Sequence, residues 1–322
     1  MTEPEKLTWI LVRRTKIEMA RRLDLHGWDA LPGTAERGPG WALVEADCVE
    51  SLERLPPRSV DLVFADPPYH LSNGGTTCQS GRRVRVDKGA WDRSGGVAED
   101  HAFQTRWLTA CRRVLKPSGT LWVSGTQHVI FSVGYAMQEL GFHLLNTVTW
   151  YKPNAAPNLA CRFFTHSTEI LLWASPTRLR PLPHRFNYRE MKAANGGKQM
   201  RDLWSITERP APGGEQVVWA LPTPGPREKV HGRHPTQKPL ALMERVVAAS
   251  AGPGDLVLDP FCGSGTTGVA ALRAGCRFVG VERSAEYVRL AAARLHALGA
   301  GAHPSLAGRE TPGAEAAPGP RA

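Results

Sequence analysis

The motif Asp66-Pro67-Pro68-Tyr69 directly follows the apolar run 60–65. It contains a carboxylate, two residues without a backbone N–H donor and an aromatic ring. Because proline carries no N–H, carbonyls in such a turn stay free to accept hydrogen bonds. With the carboxylate and the tyrosine face they suit a planar ring that bears an exocyclic amino group. Two acceptors on its protons would free the nitrogen lone pair to attack an electrophilic methyl group. Taken alone, a proline-rich turn without chemistry is the simpler interpretation.

A second candidate is the glycine-containing turn 259–267, DPFCGSGTT, which follows an apolar run and precedes a helical pattern. Gly263 and Gly265 allow a tight turn and close approach to a ligand, and the helix N-terminus offers free N–H groups to a carboxylate. Glu282 ends the next apolar run, where an acid can bind both hydroxyls of a ribose. Neither the third glycine of dinucleotide-binding turns nor a P-loop lysine is present. A nucleoside-containing cofactor without a pyrophosphate therefore fits best.

Asp47 ends another apolar run and could accept a hydrogen bond from an adenine amino group. From the residues alone we prefer the simpler interpretation, in which Asp47 caps the helix that begins at Val49.

The elements that must position these residues alternate along the chain. Short apolar runs predict strands at 41–45, 60–65, 120–124, 143–150, 169–173, 255–259 and 277–282. Helical spacing predicts helices at 49–55, 103–115, 129–140, 239–250, 266–273 and 284–298. Residues 31–40 are predicted to form a loop. Repeated strand–helix units predict an α/β fold with a doubly wound, mostly parallel sheet, whose ligands bind beyond the carboxyl ends of the strands.

Composition narrows the class of protein. The 322 residues include 40 Lys and Arg against 30 Asp and Glu, a net charge of +10, which favours a polyanionic partner such as nucleic acid; added solubility is the alternative. The six cysteines form no CxxC pair and have no histidine at zinc-ligand spacing, so we predict reduced thiols, no metal site and a cytoplasmic protein. No apolar run of membrane-spanning or signal-peptide type occurs, which argues against secretion and a membrane location.

In this order, the motifs make the chain resemble the beta class of amino DNA methyltransferases, many of which accompany type II restriction enzymes. The class places its DPPY motif before its cofactor motif, as here, which implies a circularly permuted, Rossmann-like methyltransferase sheet. The stretch 234–239, HPTQKP, is similar to the motif before the first cofactor helix, and segments 121–126, 152–154 and 164–169 also look like family segments. The resemblance covers roughly 41–298.

The resemblance implies S-adenosyl-L-methionine (SAM) as the cofactor. It assigns catalysis to Asp66, Pro67, Pro68 and Tyr69. It assigns the adenine of the cofactor to Asp47 and Cys48, which reverses the preference for a plain helix cap, and the ribose to Glu282. The motif that 234–239 resembles, which includes Lys238, contacts the methionine end of the cofactor in the class. The full implied cofactor set is Asp47, Cys48, Asp66, His234, Thr236, Lys238, Pro239, Asp259, Phe261, Gly263, Ser264, Gly265, Thr266 and Glu282.

Two segments are candidates for binding double-stranded DNA. Residues 70–91 are glycine-rich and carry Arg82, Arg83, Arg85 and Lys88, which could reach phosphates; a solvated loop is the alternative. Residues 176–233 have no clear helix or strand period but many basic and aromatic residues. In the resembling class this interval recognises the target sequence, with base edges read in the major groove. Chemistry on a base within a duplex also implies base flipping.

The predicted organisation is an N-terminal extension (1–40), a catalytic half (41–175), a target-recognition region (176–233), a cofactor-binding half (234–298) and a disordered tail (299–322). In the class, Asp at the first motif position leans toward adenine N6, with cytosine N4 as the main alternative. An RNA or protein-glutamine methyltransferase and a DNA-binding protein with an inactive methyltransferase fold are remoter alternatives. A homodimer and a cognate restriction endonuclease acting on the same site are left open, and we expect association with the nucleoid when DNA is bound.

Overall fold

A computed structural model of the chain describes residues 33–299, except positions 73, 75, 80–81, 86, 153–154, 156, 160 and 205–223. The predictions for residues 1–32 and for the tail from residue 300 lie outside these ranges. None of the helices in the described ranges combines the length and the apolar character needed to cross a membrane.

The described residues form eleven β-strands and seven α-helices. The strands are β1 (Thr34–Gly38), β2 (Trp41–Glu45), β3 (Val60–Ala65), β4 (Thr76–Gln79), β5 (Arg82–Arg85), β6 (Leu115–Gly125), β7 (His143–Tyr151), β8 (Thr168–Ser175), β9 (Leu203–Trp204), β10 (Leu256–Asp259) and β11 (Arg277–Glu282). The helices are α1 (Cys48–Arg54), α2 (Val97–Val114), α3 (Ile130–Glu139), α4 (Tyr188–Ala194), α5 (Leu240–Ser250), α6 (Thr266–Arg273) and α7 (Ala285–Gly299).

One sheet of nine strands organises the fold, in the order β1-β2-β11-β10-β3-β6-β8-β7-β9. The run from β2 through β11, β10 and β3 to β6 is parallel, whereas β8 is antiparallel to both of its neighbours. The predicted α/β, doubly wound and mostly parallel architecture is therefore confirmed. β3 comes early in the chain and β10 late, yet the two strands are neighbours, as the permuted order of motifs requires.

Helices cover both faces of the sheet, which explains why β3 is apolar at nearly every position. Successive β3 side chains point to opposite faces. Leu62 and Phe64 join one core layer with residues of α5, α6 and α7, while Val63 and Ala65 join a second layer with residues of α1, α2 and α3. Burial on both faces holds β3 rigidly and so fixes where the chain emerges at Asp66.

The prediction that residues 31–40 form a loop was wrong for Thr34–Gly38, which is the edge strand β1 and pairs antiparallel with β2. The turn between the strands is Pro39-Gly40, and Gly40 has φ 78, the pattern of a type II turn. The strand lacked a sequence signal because an edge strand is half solvated, and the segment TAERG contains no alternating large apolar residues.

Two other segments are more regular than the sequence indicated. Within residues 70–91, β4 and β5 form an antiparallel hairpin rather than a loop. Within residues 176–233, helix α4 and the two-residue strand β9 are present, and β9 adds to the sheet edge beside β7. Trp204 of β9 is buried and lies 5.6 Å from Trp122, between ring centroids, so this aromatic residue of the predicted recognition region packs in the core.

Candidate active site

The carboxyl ends of two neighbouring strands bring the two predicted turns together. β3 and β10 are adjacent and parallel, so the turns that follow them leave the sheet at one edge. A cavity of about 510 Å³ opens there, a volume typical of small-molecule sites. Nine of the predicted residues contribute to its lining: Asp47, Cys48, Asp66, Pro68, His234, Thr236, Phe261, Gly263 and Glu282. A smaller cavity shares part of this lining and adds Lys238, Asp259, Ser264 and Thr266.

The glycine turn has a backbone that other residues would strain. Gly263 has φ 51 and Gly265 has φ 72, both left-handed. A Cβ on Gly263 would lie 3.1 Å from the ring of His234, and one on Gly265 would lie 2.9 Å from Cβ of Ala291. Glycine is therefore needed at both positions for conformation and for space.

An arginine from α7 supports the same turn. The buried guanidinium of Arg294 donates to the carbonyl of Ser264 at 2.6 Å and to Thr266 Oγ1 at 2.8 Å. Burial lowers the pKa of Arg294 to about 10, so the side chain stays charged at neutral pH. Arg294 was not among the predicted site residues, because it lies far along the chain from the motif that it holds.

Glu282 ends β11 at the rim of the larger cavity. Its Oε2 accepts a hydrogen bond from the Gly263 N–H and its Oε1 accepts one from the Ser284 N–H, both at 2.8 Å. Burial raises the pKa of Glu282. Each oxygen keeps a further lone pair, so this carboxylate can accept hydrogen bonds from two vicinal hydroxyls.

Asp47 and Cys48 lie at the start of α1. Asp47 Oδ1 accepts hydrogen bonds from the N–H groups of Val49 at 2.9 Å and Glu50 at 3.4 Å. It is thus the helix cap that the residues alone suggested, and it also borders the larger cavity. Burial raises the pKa of Cys48 to about 12, which leaves an uncharged thiol against the ligand space.

Phe261 and Asp259 begin the turn itself. The ring of Phe261 packs edge-on against Trp107, with centroids 5.4 Å apart, and borders the cavity. Asp259 is buried and accepts hydrogen bonds from the Phe261 N–H at 3.0 Å and Thr267 Oγ1 at 2.6 Å. Burial raises the pKa of Asp259 to about 7.

Asp66 is surrounded by hydrogen-bond donors. Oδ1 accepts from Tyr69 Oη at 2.6 Å and from Ser124 Oγ at 2.5 Å. Oδ2 accepts from Lys238 Nζ at 2.6 Å. Pro67 behind it is buried, and Pro68 reaches the cavity. The carboxylate therefore has a fixed orientation at the floor of the site.

Tyr69 is buried rather than open for stacking. Its side chain lies among Asp66, Ser124 and Glu169, with Oη 3.3 Å from Glu169 Oε2. Burial, together with the Asp66 and Glu169 carboxylates, raises its pKa well above the ordinary value. Lys238 Nζ lies 5.0 Å from the ring centroid and Lys88 Nζ 5.9 Å. A base could stack on this ring only after such neighbours move, which differs from the open face expected from the sequence.

Asp92 braces the DPPY turn and was not predicted. This fully buried carboxylate accepts hydrogen bonds from the N–H groups of Tyr69 and Leu71, each at 3.0 Å, and from Ser72 Oγ at 2.8 Å. The Lys88 N–H donates to Ser72 Oγ at 2.9 Å. The two ends of the segment that carries the β4–β5 hairpin are thus joined beside Tyr69.

The predicted DNA-contacting residues separate into two groups. Arg82, Arg83 and Arg85 belong to β5 of the hairpin, and Arg85 is exposed. Lys88 is half-buried near Tyr69, and its burial lowers its pKa. Lys88 therefore lies with the residues around Asp66 rather than on the hairpin.

The HPTQKP segment contacts both turns. Burial lowers the pKa of His234 to about 4, so its ring is neutral; it packs edge-on against Tyr287 at 4.3 Å between centroids. The N–H of Thr236 donates to His234 Nδ1 at 3.3 Å. Pro239 is buried at the start of α5. Lys238, which the resemblance placed at the methionine end of the cofactor, has its Nζ on Asp66.

Comparison with known proteins agrees with this geometry. The family model described as DNA methylase (N6_N4_Mtase) matches residues 60–293. This chain belongs to that DNA methylase family. It is 48% identical over 256 residues to the type II methyltransferase M2.LlaDCHI of Lactococcus lactis subsp. cremoris, which covers 79% of this chain and 88% of the relative. It is 47% identical over 257 residues to the type II methyltransferase M2.DpnII of Streptococcus pneumoniae, covering 79% and 89%.

A solved structure of a SAM complex is also similar to this chain in fold. The crystal structure of the M1.HpyAVI–SAM complex is similar to this chain with a TM-score of 0.52 and 25% identity, covering 79% of this chain and 98% of that one. The protein is a SAM-dependent DNA methyltransferase of the type II restriction-modification kind, in a family whose targets are adenine N6 and cytosine N4. The cavity, the glycine turn and the Glu282 carboxylate fit a nucleoside-containing ligand of this kind.

Proposed function

We propose that this methyltransferase acts on adenine N6 within a specific sequence of double-stranded DNA. The observation that carries the proposal is Asp66, an oriented carboxylate at the floor of the cavity that the glycine turn borders. Aspartate at this position leans toward adenine in the resembling class. The same geometry would accept the amino group of cytosine, whose N4 is the alternative target.

The chain contributes positioning and electrostatics to the reaction. When bound, SAM supplies an electrophilic methyl group on a sulfonium. We propose that Asp66 Oδ2 and a carbonyl of the Pro67–Pro68 turn accept hydrogen bonds from the two amino protons of the target base. With SAM bound, the nitrogen lone pair would form the new N–C bond while the electrons of the broken C–S bond stay on sulfur, and the extra proton on the nitrogen would be lost to solvent. Such positioning accounts for large parts of enzymatic rate accelerations.

The proposed cofactor contacts follow the cavity lining. Glu282 binds the ribose hydroxyls, Asp47 and Cys48 border the adenine, and the turn with Gly263 carries the methionine carboxylate beside the N-terminus of α6. The wider set also contributes to the two cavities or to the turn: Asp66, His234, Thr236, Lys238, Asp259, Phe261, Ser264, Gly265 and Thr266. Pro239 lines neither cavity; it is buried at the start of α5 and follows Lys238 directly.

DNA would approach the edge of the sheet where these turns lie. We propose that Arg82, Arg83 and Arg85 of the hairpin contact phosphates, because the hairpin projects from the same segment as the DPPY turn. Residues 176–233 would recognise the sequence, between a catalytic half (41–175) and a cofactor-binding half (234–298), and the target base would flip out of the duplex. Action on DNA also supports a cytoplasmic, nucleoid-associated protein, and the type II relatives support a cognate endonuclease with the same site.

The deciding experiment is mass spectrometry of nucleosides from duplex DNA incubated with the protein and SAM, with Asp66→Ala as the inactive control. N6-methyladenine supports the proposal. N4-methylcytosine would keep the site residues but overturn the choice of base. Absence of both on several genomic DNAs would favour the remoter alternatives, an RNA or protein methyltransferase or an inactive methyltransferase fold.

A further inference from the structure

Four charged side chains form a group at the DPPY turn, and two of them, Lys238 and Glu169, are buried. Lys238 Nζ lies 2.6 Å from Asp66 Oδ2 and 3.6 Å from Glu169 Oε2, and Lys152 forms an ion pair with Glu169 Oε1. Two ammonium groups thus face two carboxylates. Lys238 is 7% exposed and Glu169 is 8% exposed, so water screens these charges weakly. A cluster of this kind is costly to bury unless every charge is paired.

The hydrogen bonds of Asp66 leave one acceptor position. An ionised carboxylate has about four lone-pair sites. Tyr69 and Ser124 donate to Oδ1, and Lys238 donates to Oδ2. One site on Oδ2 therefore remains for a further donor, on the oxygen that Lys238 holds.

We infer that Lys238 is a positioning residue, which holds Asp66 through its Oδ2 so that the remaining acceptor position of that oxygen meets the target amino group, and that Glu169 anchors Lys238 in that position. This inference rests on the proposed function. It differs from the role implied by resemblance, in which this lysine contacts the methionine end of the cofactor.

The surrounding charges are consistent with a permanently charged lysine. Burial opposes the charge on Lys238, but the Asp66 and Glu169 carboxylates outweigh it and raise the pKa of Lys238. Burial likewise opposes the charge on Glu169, but Lys238 and Lys152 outweigh it and lower the pKa of Glu169. The ammonium is thus present across the neutral range. Titratable and charged groups that interact with Asp66 come from several elements: Tyr69, Lys88, His234, Lys238 and Asp259. Glu169 is linked to Asp66 through Lys238 and Tyr69.

The test compares Lys238→Met, Lys238→Arg and Glu169→Gln with Lys116→Met as a matched control. Lys116 forms an ion pair with Asp61 at 2.7 Å. Asp61 lies at the opposite end of β3 from Asp66, so Lys116→Met removes a lysine–aspartate ion pair of the same strand without changing the active site. Steady-state kinetics on duplex DNA, calorimetric SAM binding and the pH dependence of kcat are measured for each.

We expect Lys238→Met to lower kcat about a hundredfold, the scale of a misplaced reacting group, while the Kd for SAM stays within about threefold. Lys238→Met also removes the positive charge that lies 2.6 Å from Asp66 Oδ2. Because loss of a nearby cation favours the protonated form of a carboxylate, we expect the acid limb of the kcat profile to move to higher pH. Lys238→Arg should restore part of kcat. Glu169→Gln should also lower kcat, but by a smaller factor than Lys238→Met. It serves as the second variant if Lys238→Met does not fold. The control should resemble wild type.

Three results overturn the inference. In the first, Lys238→Met and Glu169→Gln both keep the wild-type kcat. In the second, SAM binding weakens while kcat and its pH profile stay unchanged, which would return Lys238 to the cofactor. In the third, the wild-type protein transfers no methyl group, so the proposed function fails as well. Transfer to cytosine N4 would overturn the choice of base but not the role of Lys238, since both targets are exocyclic amines.

Discussion

Replacing Gly263 by alanine tests whether the glycine turn is shaped for the cofactor. Gly263 has φ 51, and a Cβ there would lie 3.1 Å from the ring of His234, which borders the cavity. A left-handed conformation costs an L-residue about 1–2 kcal/mol. At about 2–4 °C per kcal/mol for a domain of this class, we expect Gly263→Ala to lower Tm by about 2–8 °C. The displaced His234 ring should in addition weaken SAM binding about tenfold, or about 1.4 kcal/mol.

Gly254→Ala separates strain from contact. Gly254 has φ 86 and no atom within 4 Å of an added Cβ, so this control imposes a comparable backbone cost away from the cavity. Thermal unfolding and calorimetry with SAM are measured for both variants. We expect similar losses in Tm but weakened SAM binding only for Gly263→Ala. Equal SAM affinity in the two variants would refute the argument that the turn at Gly263 is built around the ligand.

Three further changes test other parts of the site. Asp66→Ala should abolish methyl transfer while SAM affinity stays within a few-fold, and a fully active variant in the nucleoside assay would contradict the role of Asp66. Replacing Arg82, Arg83 and Arg85 together by alanine should reduce the slope of DNA affinity against salt concentration; an unchanged slope would place the phosphate contacts elsewhere. Because burial raises the pKa of Asp259 to about 7 from an ordinary 3.8, ionisation disfavours the folded state, so wild type should lose stability relative to Asp259→Asn as pH rises from about 4 to about 7. Parallel pH profiles of the unfolding free energy for the two proteins would contradict that cause.

Local spacing was enough to predict the parts of the site that one segment supplies. The DPPY turn and the glycine turn each follow a buried strand, and a buried parallel strand has a strong apolar signal. The hairpin strands β4 and β5 lack that signal, because their sequences TTCQ and RRVR contain few large apolar residues. β1 escaped prediction for the same reason.

Contacts between distant segments could not be predicted from spacing. Lys238 meets Asp66 across 172 positions of the chain and Ser124 meets it across 58, and no local pattern ties such residues together. Glu169 and Ser124 lie in segments that resembled the family. The resemblance indicated that these segments belong to the fold, but not which residues Glu169 and Ser124 contact. Asp92 had no signal, since its role as a buried acceptor appears only when the chain returns beside Tyr69.

The permuted strand order explains why the HPTQKP segment has to connect the two turns of the site. β3 delivers Asp66 early in the chain and β10 delivers the glycine turn late, so no short stretch of sequence joins the cofactor side of the site to the target side. The segment before α5 makes that connection, because the ring of His234 borders Gly263 while the ammonium of Lys238 holds Asp66. A shift of this segment would change the shape of the ligand cavity and the orientation of the acceptor together. If the proposed roles hold, Glu169 on one side and the buried start of α5 on the other fix this segment, and so would keep the methyl donor and the target amine aligned.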